Sequence, residues 1–364
     1  MKIKDIIQFL ETIAPLNYQE NYDNSGLIVG NRENEVTSAL VCLDSTEEVV
    51  DEAIENGCNL IIAHHPIIFS GIMKLTETNH VERTIIKAIK NNIAIYAIHT
   101  NLDNVIGGVN SKIADLLDLK NQKILSPKRD SLRKLVVYVP KENVEELKES
   151  LFNVGAGKIG NYKNCSFQTY GEGSFFPLDK AIPAIGEIGF QKTVEEVKIE
   201  LVYPKEIEIT LINEMKKTHP YEEVSYQIYL LENVFQDVGS GIVGELDNEI
   251  SSIEFLHKLK SVMKTDCIRY TEIVKDTIKR VAICGGSGSF LLNKAKSVHS
   301  DIFISSDFKY HEFFNAENDL IIADIGHYES EQFTKNLIYD LLINNFSKFA
   351  VLLSKVNTNP INYL

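Results

Sequence analysis

The chain has 364 residues, of which 44% are hydrophobic and 24% are charged. This length exceeds the ~250–300 residues that one hydrophobic core usually supports, so we expect two or three domains. The formal net charge of −14 argues against a general binder of nucleic acid or of anionic membranes, because such proteins neutralise phosphates with basic side chains. The sequence contains no run of 18 or more apolar residues, so it predicts no membrane span.

The first segment, MKIKDIIQFLETIAPL, has the charge spacing of an amphipathic helix and lacks the uninterrupted apolar region of a signal peptide. The five cysteines are scattered and never form a C-x-x-C pair. This pattern argues against a disulfide framework and against a structural zinc knuckle. We therefore expect reduced thiols and a cytoplasmic protein.

From residue 37 to 125, short apolar runs alternate with helical patterns. TSALVCLD, NLIIAHHP and IAIYAIHTNLD are typical of strands, whereas STEEVVDEAIENG and VERTIIKAIKNN are typical of helices. This alternation predicts βαβ units and a largely parallel sheet, in which ligands bind at the C-terminal ends of the strands. Polar residues follow all three strands: Asp44, then His64 and His65, then the segment from His99 to Asp103.

The middle of the chain has a different pattern. Between residues 133 and 232, strand-like segments such as KLVVYVP and VKIELVYP alternate with two helical patterns, in the β-α-β-β-α-β order of a ferredoxin-like α+β unit. From residue 279 the α/β pattern returns, in KRVAICGG, DIFISSDF and DLIIADIGHYESE. The predicted domains are an N-terminal α/β lobe (1–129), an inserted ferredoxin-like domain (130–235) and a C-terminal α/β lobe (236–364).

The two lobes are predicted to be similar. Residues 42–65 and 284–307 align without a gap, so that Asp307 falls opposite His65. Any two βαβ units would align in this way, so the alignment leaves open whether the lobes arose by duplication. In both cases the fold class is α/β, with two similar lobes that contain largely parallel sheets.

Five residues at predicted strand ends have the chemistry of metal ligands: His64, His65, Asp103, His327 and Glu331. Imidazole and carboxylate groups without thiolates suit zinc, iron, manganese or similar divalent ions. Successive side chains of a strand point to opposite sides, so His64 and His65 would serve two neighbouring ions unless the strand has already ended before Pro66. His327 and Glu331 are four residues apart, which places them on one face of a helix.

Three further residues lie near this predicted site. His99 and His311 are candidates for orienting a ligand, and His99, Asp307 or His311 could move protons during catalysis. The segment CGGSGSF is similar to a phosphate-binding glycine loop, but it matches neither established motif, and a tight strand-to-helix turn is the favoured interpretation.

Several motifs together resemble the Nif-three-like family (Ngg-one-interacting factor three), also called GTP cyclohydrolase I type 2 homologues. The motifs are YDNSGLIVG, AHHPIIF, HTNLD, SSDFKYHEF, DIGHYESE and NTNPINYL. The middle segment, with GEGSFFP and HPYEEVSY, is similar to the CutA/PII-like insert of the longer bacterial members. One departure is Ser306-Asp307, where the family often has Gly-Asp.

The resemblance implies a site for two metal ions and a toroidal homohexamer whose sites face an inner cavity. By motif, His65 and Asp103 would hold one ion, His64 and His327 the other, and Glu331 both. The family's cyclohydrolase label implies hydrolytic opening of the guanine ring of GTP or a related nucleotide, for which two metal ions can activate water. The alternative is a metal carrier, or a regulatory ring whose insert senses a small ligand. Neither reading predicts a nucleic-acid or membrane partner.

Overall fold

The computed structural model describes residues 1–364. Its strands are β1 (Gly26–Val29), β2 (Ser38–Cys42), β3 (Leu60–Ala63), β4 (Ala94–Ala97), β5 (Lys120–Lys128), β6 (Leu132–Pro140), β7 (Phe167–Phe175), β8 (Lys192–Pro204), β9 (Tyr226–Leu230), β10 (Phe235–Ser251), β11 (Arg269–Tyr270), β12 (Thr277–Ser287), β13 (Ile302–Ser306), β14 (Ile321–Asp324) and β15 (Ala350–Leu353). They form three sheets, so the chain has the mixed α/β fold that the sequence predicts.

The α-helices are α1 (Ile3–Ile13), α2 (Glu47–Glu55), α3 (His80–Lys90), α4 (Thr100–Asp103), α5 (Val109–Leu116), α6 (Val144–Asn153), α7 (Glu208–Thr218), α8 (Ser252–Val262), α9 (Leu292–Ser297), α10 (His327–Glu331) and α11 (Thr334–Asn345). Short 3-10 helices span Leu16–Tyr18, Lys141–Asn143, Lys205–Ile207, Ser289–Leu291 and Tyr310–Ala316. Helix α1 is amphipathic as predicted and buries its isoleucine and leucine face. No helix has both the length and the apolar composition needed to cross a membrane.

The first sheet has the strand order β1-β4-β3-β2-β15. The four strands from β4 to β15 are parallel, and β1 is antiparallel to β4 at the edge. Every residue of β2, β3 and β4 is buried. This burial explains why these strands are continuous apolar runs, because a parallel sheet is covered on both faces.

The second sheet has the strand order β11-β14-β13-β12-β10-β5. Strands β12, β13 and β14 are parallel, whereas β10 and β11 are antiparallel to their neighbours β12 and β14. Strand β5 comes from the first part of the chain and β15 from the last, so each predicted lobe contributes one strand to the other lobe's sheet. This exchange makes residues 1–127 and 237–364 one compact unit.

Residues 128–236 form the second compact unit. Its elements follow in the order β6, α6, β7, β8, α7, β9, and its antiparallel sheet has the strand order β7-β8-β6-β9. Alternate residues of β6 and β8, such as Val137 and Ile199, pack against Leu147 of α6 and Leu211 of α7. Both helices therefore cover the same face of this sheet. The boundaries 1–129, 130–235 and 236–364 stay predictions about which parts fold independently.

Candidate metal centre

Two adjacent histidines follow the buried strand β3. The strand ends at Ala63, and the backbone N–H groups of His64 and His65 both donate to the carbonyl of Leu43, at 3.1 and 2.9 Å. The chain has therefore left the regular strand before the histidines, and their side chains do not alternate across the sheet. Their rings lie with centroids 4.8 Å apart.

Three other predicted ligands are placed by short helices that follow one strand of each sheet. Asp103 is the last residue of α4, which follows β4. His327 and Glu331 are the first and last residues of α10, which follows β14 of the second sheet. As the i, i+4 spacing predicts, they share one helix face, and His327 Nε2 lies 3.1 Å from Glu331 Oε2.

The buried carboxylate of Glu331 lies between two groups of ligand atoms. Its Oε2 atom is 2.9 Å from His65 Nε2 and 3.1 Å from His327 Nε2. Its Oε1 atom is 3.9 Å from His64 Nε2, which in turn is 3.7 Å from Asp103 Oδ1. Three overlapping groups of side chains are close enough to hold a metal ion, and the two that contain Glu331 bring it together with His65 and His327 and with His64 and Asp103; the third consists of His64, His65 and His99. This grouping differs from the pairing of His65 with Asp103 and of His64 with His327 that the family resemblance implies.

Two buried polar atoms in this cluster have no hydrogen-bond partner. They are Nε2 of His64, a residue with no exposed surface, and Oδ1 of Asp103. Leaving a buried polar atom unsatisfied costs about 1–3 kcal/mol, so such atoms usually have a partner in a folded protein. A divalent cation would satisfy both atoms, and an imidazole nitrogen with a carboxylate oxygen is a common donor set for zinc, iron and manganese. The residues therefore fit a metal ion.

Each of the four histidines in the cluster is held through its Nδ1 atom. His64 Nδ1 donates to the carbonyl of Ile98 at 2.8 Å, and the other three bond to carboxylates: His65 to Asp44 at 2.7 Å, His99 to Asp23 at 2.7 Å, and His327 to Asp307 at 2.6 Å. Such partners fix the orientation of the ring and leave Nε2 as the ligand atom. This arrangement is typical of metal-binding histidines.

Burial and charge shift the pKa values of the cluster in opposite directions. Burial lowers the pKa of His64, which favours the neutral ring that a metal needs. Burial also lowers the pKa of His65, but hydrogen bonds to Asp44 and Glu331 outweigh it and raise that pKa to about 10. For Asp103, burial and the nearby negative charge of Glu331 hold the pKa well above its usual range. The ionisable side chains of the cluster therefore interact strongly with one another, and a bound cation would change these interactions.

The three residues predicted to act in catalysis have different positions. The His99 ring lies 5.3 Å from the rings of His64 and His65, so it belongs to the cluster. Asp307 hydrogen-bonds Nδ1 of His327 and therefore fixes the orientation of that ring. His311 is exposed, its ring contacts Tyr310 and Phe314 of the 3-10 helix, and it does not line the cavity at the cluster. The catalytic role of His311 stays a prediction.

The glycine loop CGGSGSF makes room for Glu331. Gly286 has a φ angle of +64°, and a Cβ atom there would lie 2.3 Å from Glu331 Oε1. The backbone N–H groups of Gly285 and Gly286 donate to Asn110 and Ser330. The segment therefore comprises the end of β12 and its junction with the 3-10 helix Ser289–Leu291, and the carboxylate packs against the strand end.

The sequence does not reveal some of the residues that lie at the site. The sequence places Asp44 at a strand end without indicating its partner, and it indicates no role for Asp23 in the motif YDNSGLIVG. The C-terminal segment also reaches the site, because the Thr358 hydroxyl donates to Asp44 and Asn359 Nδ2 donates to Glu329 at 3.0 Å. These contacts join distant parts of the chain, so no local pattern shows them.

The cluster opens into a cavity of about 440 Å³. Its wall includes His65, Asp103 and Glu331 together with aromatic side chains such as Phe69 and Phe290. This volume lies within the ~300–1,000 Å³ range of small-molecule sites. The arrangement can hold divalent cations at the bottom of a pocket that admits a small molecule.

Comparison with known proteins identifies relatives along the whole chain. A Bacillus subtilis protein described as GTP cyclohydrolase 1 type 2 homolog is 40% identical over 367 residues, which cover 99% of this chain and 98% of the relative. A Staphylococcus aureus (strain MSSA476) protein with the same description is 37% identical over 372 residues, which cover all of both chains.

Comparisons with solved structures and with a protein-family description indicate the same relationship. A Bacillus cereus protein related to NIF3 superposes with a TM-score of 0.87 at 34% identity, covering 100% of this chain and 99% of that one. A Staphylococcus aureus protein superposes with a TM-score of 0.79 at 32% identity and the same coverage. Residues 1–360 match the family described as Duf34/NIF3 (NGG1p interacting factor 3). The chain therefore belongs to the Duf34/NIF3 family.

Proposed function

We propose that this protein is a metal-dependent hydrolase whose site holds two divalent ions. His65 and His327 would bind one ion, His64 and Asp103 would bind the other, and Glu331 would contribute one oxygen to each. The observation that carries the proposal is the Nδ1 arrangement described above. Four imidazoles are oriented by partners on Nδ1, and the buried carboxylate of Glu331 lies within 3.9 Å of the Nε2 atoms of three of them, His64, His65 and His327.

Divalent ions in such a site supply Lewis-acid polarisation of a substrate and water activation near neutral pH. The protein's own residues would move protons and hold the metal ligands in position. His99, whose Nδ1 is held by Asp23, can exchange a proton at Nε2 beside the cluster. Asp44 and Asp307 hold the rings of His65 and His327 in place, so they act as positioning residues.

The proposed substrate class is GTP or a related nucleotide. The curated relatives are described as GTP cyclohydrolase 1 type 2 homologs, which suggests that water is added to the guanine ring, opens it and releases formate. The aromatic side chains in the cavity wall offer flat surfaces on which a base can stack. The number of protein ligands also supports catalysis, because five residues for two ions leave coordination positions open to a substrate.

We propose two further features by resemblance to the family. The first is a homohexameric ring, which light scattering of the purified chain would test. The second is that residues 128–236 form a CutA/PII-like domain. The β-α-β-β-α-β order and the antiparallel strand order β7-β8-β6-β9 support a ferredoxin-like arrangement for this unit.

Turnover by protein loaded with zinc, iron or manganese tests the proposed activity. GTP, other nucleotides and simple phosphoesters are incubated with the wild type, with His65→Ala and with His257→Ala, which removes an exposed histidine of α8 outside the cluster. We expect turnover that is lost in His65→Ala and retained in His257→Ala, with formate release marking ring opening. Equal turnover by both variants would contradict the proposal. No turnover by fully loaded protein, together with metal transfer to an apo acceptor protein, would favour a carrier instead.

A further inference from the structure

The sheet of residues 128–236 has one face that its helices do not cover. Val137 of β6 and Val197 of β8 point into the core with α6 and α7. Tyr138 and Glu196 are their neighbours in sequence, so their side chains lie on the opposite face of the sheet. The hydrogen-bonded registers place Lys198 beside Tyr138 and Gly171 beside Glu196 on that face.

A cavity of about 710 Å³ lies on this uncovered face. Its wall includes most residues of the segments 181–185 and 221–225. The carboxylate of Glu222 accepts a hydrogen bond from the backbone N–H of Ile182 at 2.6 Å, which joins the two segments. Both motifs that the sequence analysis noted in the insert, GEGSFFP and HPYEEVSY, contribute to this wall. The proposed hydrolase site uses neither motif.

The cavity wall combines aromatic rings with carboxylates. Tyr138, Phe175 and Tyr221 contribute rings, and the rings of Phe175 and Tyr221 lie 6.0 Å apart in an edge-to-face arrangement. The Tyr221 hydroxyl is buried, and burial together with the neighbouring Glu196 carboxylate raises the pKa of Tyr221. The hydroxyl therefore stays protonated at neutral pH.

The charge of this wall is negative. Glu196, Glu222 and Glu223 contribute carboxylates, whereas the only basic side chain is Lys198, whose ammonium lies 3.4 Å from Glu200. His219 lies behind Tyr221, donates from Nε2 to the carbonyl of Tyr138 and accepts at Nδ1 from the Tyr221 N–H. Burial lowers the pKa of His219, so this histidine adds no positive charge.

Two glycines of β7 create the space for this arrangement. A Cβ atom at Gly173 would lie 2.0 Å from Glu196 Oε2, so only glycine lets that carboxylate rest against the strand. Gly171 has nothing within 4 Å of its Cβ position, and it leaves the sheet surface open next to Glu196. The glycines thus leave room for a ligand next to a carboxylate.

We propose that this cavity binds a small organic ammonium cation. Aromatic faces and carboxylates together attract such a cation, through cation–π interactions and charge-assisted hydrogen bonds. A bare metal ion fits less well, because the three groups of histidine and acidic residues that are close enough to hold one all lie in residues 1–127 and 237–364. The cavity volume is that of a small-molecule site. The proposal is independent of the metal centre and of the hydrolase activity.

Calorimetric titration of the full chain tests the proposal, with choline, putrescine and spermidine as probes and with succinate and inositol as anionic and neutral comparators. We expect saturable binding of at least one cation, no binding of the comparators, and affinity that falls as salt is added. Glu196→Gln is expected to weaken binding by about tenfold or more. Glu195→Gln makes the same change at the next residue, which is exposed and outside the cavity wall, and it should leave the affinity unchanged.

A second variant keeps the test decisive if Glu196→Gln folds poorly. Gly173→Ala leaves every charge in place but displaces the Glu196 carboxylate, so it should weaken cation binding as well. Thermal melts of each variant separate loss of binding from loss of folding. The proposal is overturned if none of the three cations binds at millimolar concentration, if succinate binds as well as they do, or if Glu195→Gln weakens binding as much as Glu196→Gln.

Discussion

Glu331 Oε2 lies 2.9 Å from His65 Nε2, although the two residues are 266 positions apart in the chain. His65 follows a strand of the first sheet and Glu331 ends a helix that follows a strand of the second. The contact therefore joins the two sheets of one compact unit at the candidate metal centre. It also gives Glu331 a position from which it can serve two ions.

Replacing Glu331 should remove metal from the protein. Glu331→Gln takes away the one carboxylate that both ligand groups share, so we expect a clear fall in metal content by elemental analysis of protein purified without chelator. Glu329→Gln is the matched control, because Glu329 is also buried on α10 but bonds to Asn359 instead. Equal metal content in the two variants would exclude Glu331 from the site.

Loss of the Asp307 carboxylate should weaken metal binding without abolishing it. Asp307→Ala frees Nδ1 of His327, and removal of a residue that orients a ligand typically costs about 10–100-fold in metal affinity. Competition with a chromogenic chelator measures this change. Asp319→Ala removes an exposed carboxylate that pairs with Lys296, and it should not alter metal affinity. A similar loss of affinity in both variants would argue against an orienting role for Asp307.

Gly286→Ala should displace Glu331. The new methyl group would meet Glu331 Oε1 at 2.3 Å, and alanine at a φ of +64° adds strain of about 1 kcal/mol or more. We expect reduced stability together with reduced metal content. Gly107→Ala, at a φ of +80° with nothing within 4 Å of its Cβ position, has the strain without the clash. It should lose stability but keep its metal, and loss of metal there too would show that strain alone disturbs the site.

Glu82 should give a pH-dependent contribution to stability away from the metal centre. Its carboxylate accepts hydrogen bonds from the backbone N–H groups and hydroxyls of Thr78 and Thr76, which lower its pKa to about 2. Because this pKa lies below the ordinary value of about 4.3, the stabilisation is complete above that value and is lost as the pH falls toward 2. The melting-temperature difference between the wild type and Glu82→Gln should therefore be largest near neutral pH and shrink in acid.

The control for Glu82→Gln is Glu77→Gln in the loop that precedes α3. Glu77 is exposed and pairs only with Lys90, so its replacement should change the melting temperature little. A difference between the wild type and Glu82→Gln that is constant from neutral to acid pH would contradict the assigned hydrogen bonds.

Deletion of the insert should leave a folded, metal-binding unit. A Cβ atom at Gly239 would lie 2.7 Å from the Cα atom of Pro127, so the two chain ends left by removing residues 130–235 lie close together and a short glycine linker can join them. We expect a soluble protein with the metal content of the wild type. Aggregation or loss of metal would show that the insert is needed by the rest of the chain.

The amino-acid sequence alone was enough to predict the elements and the ligand types of the candidate centre. Apolar runs such as LIIA predict buried parallel strands, because their burial on both faces leaves no polar alternation. The spacing of His327 and Glu331 predicts a shared helix face, because the α-helix repeats every 3.6 residues. These are local properties, and the structure agrees with them.

Only the tertiary structure decided how the ligands are grouped and what supports them. The proximity of His64 to Asp103 and the carboxylates of Asp44 and Asp23 on the imidazoles depend on contacts between segments far apart in the chain. The exchange of β5 and β15 between the sheets is equally non-local. Hydrophobic periodicity specifies which face of an element is buried, but it does not specify which element packs against that face. The relative positions of the candidate ligands could therefore be read only from the tertiary structure.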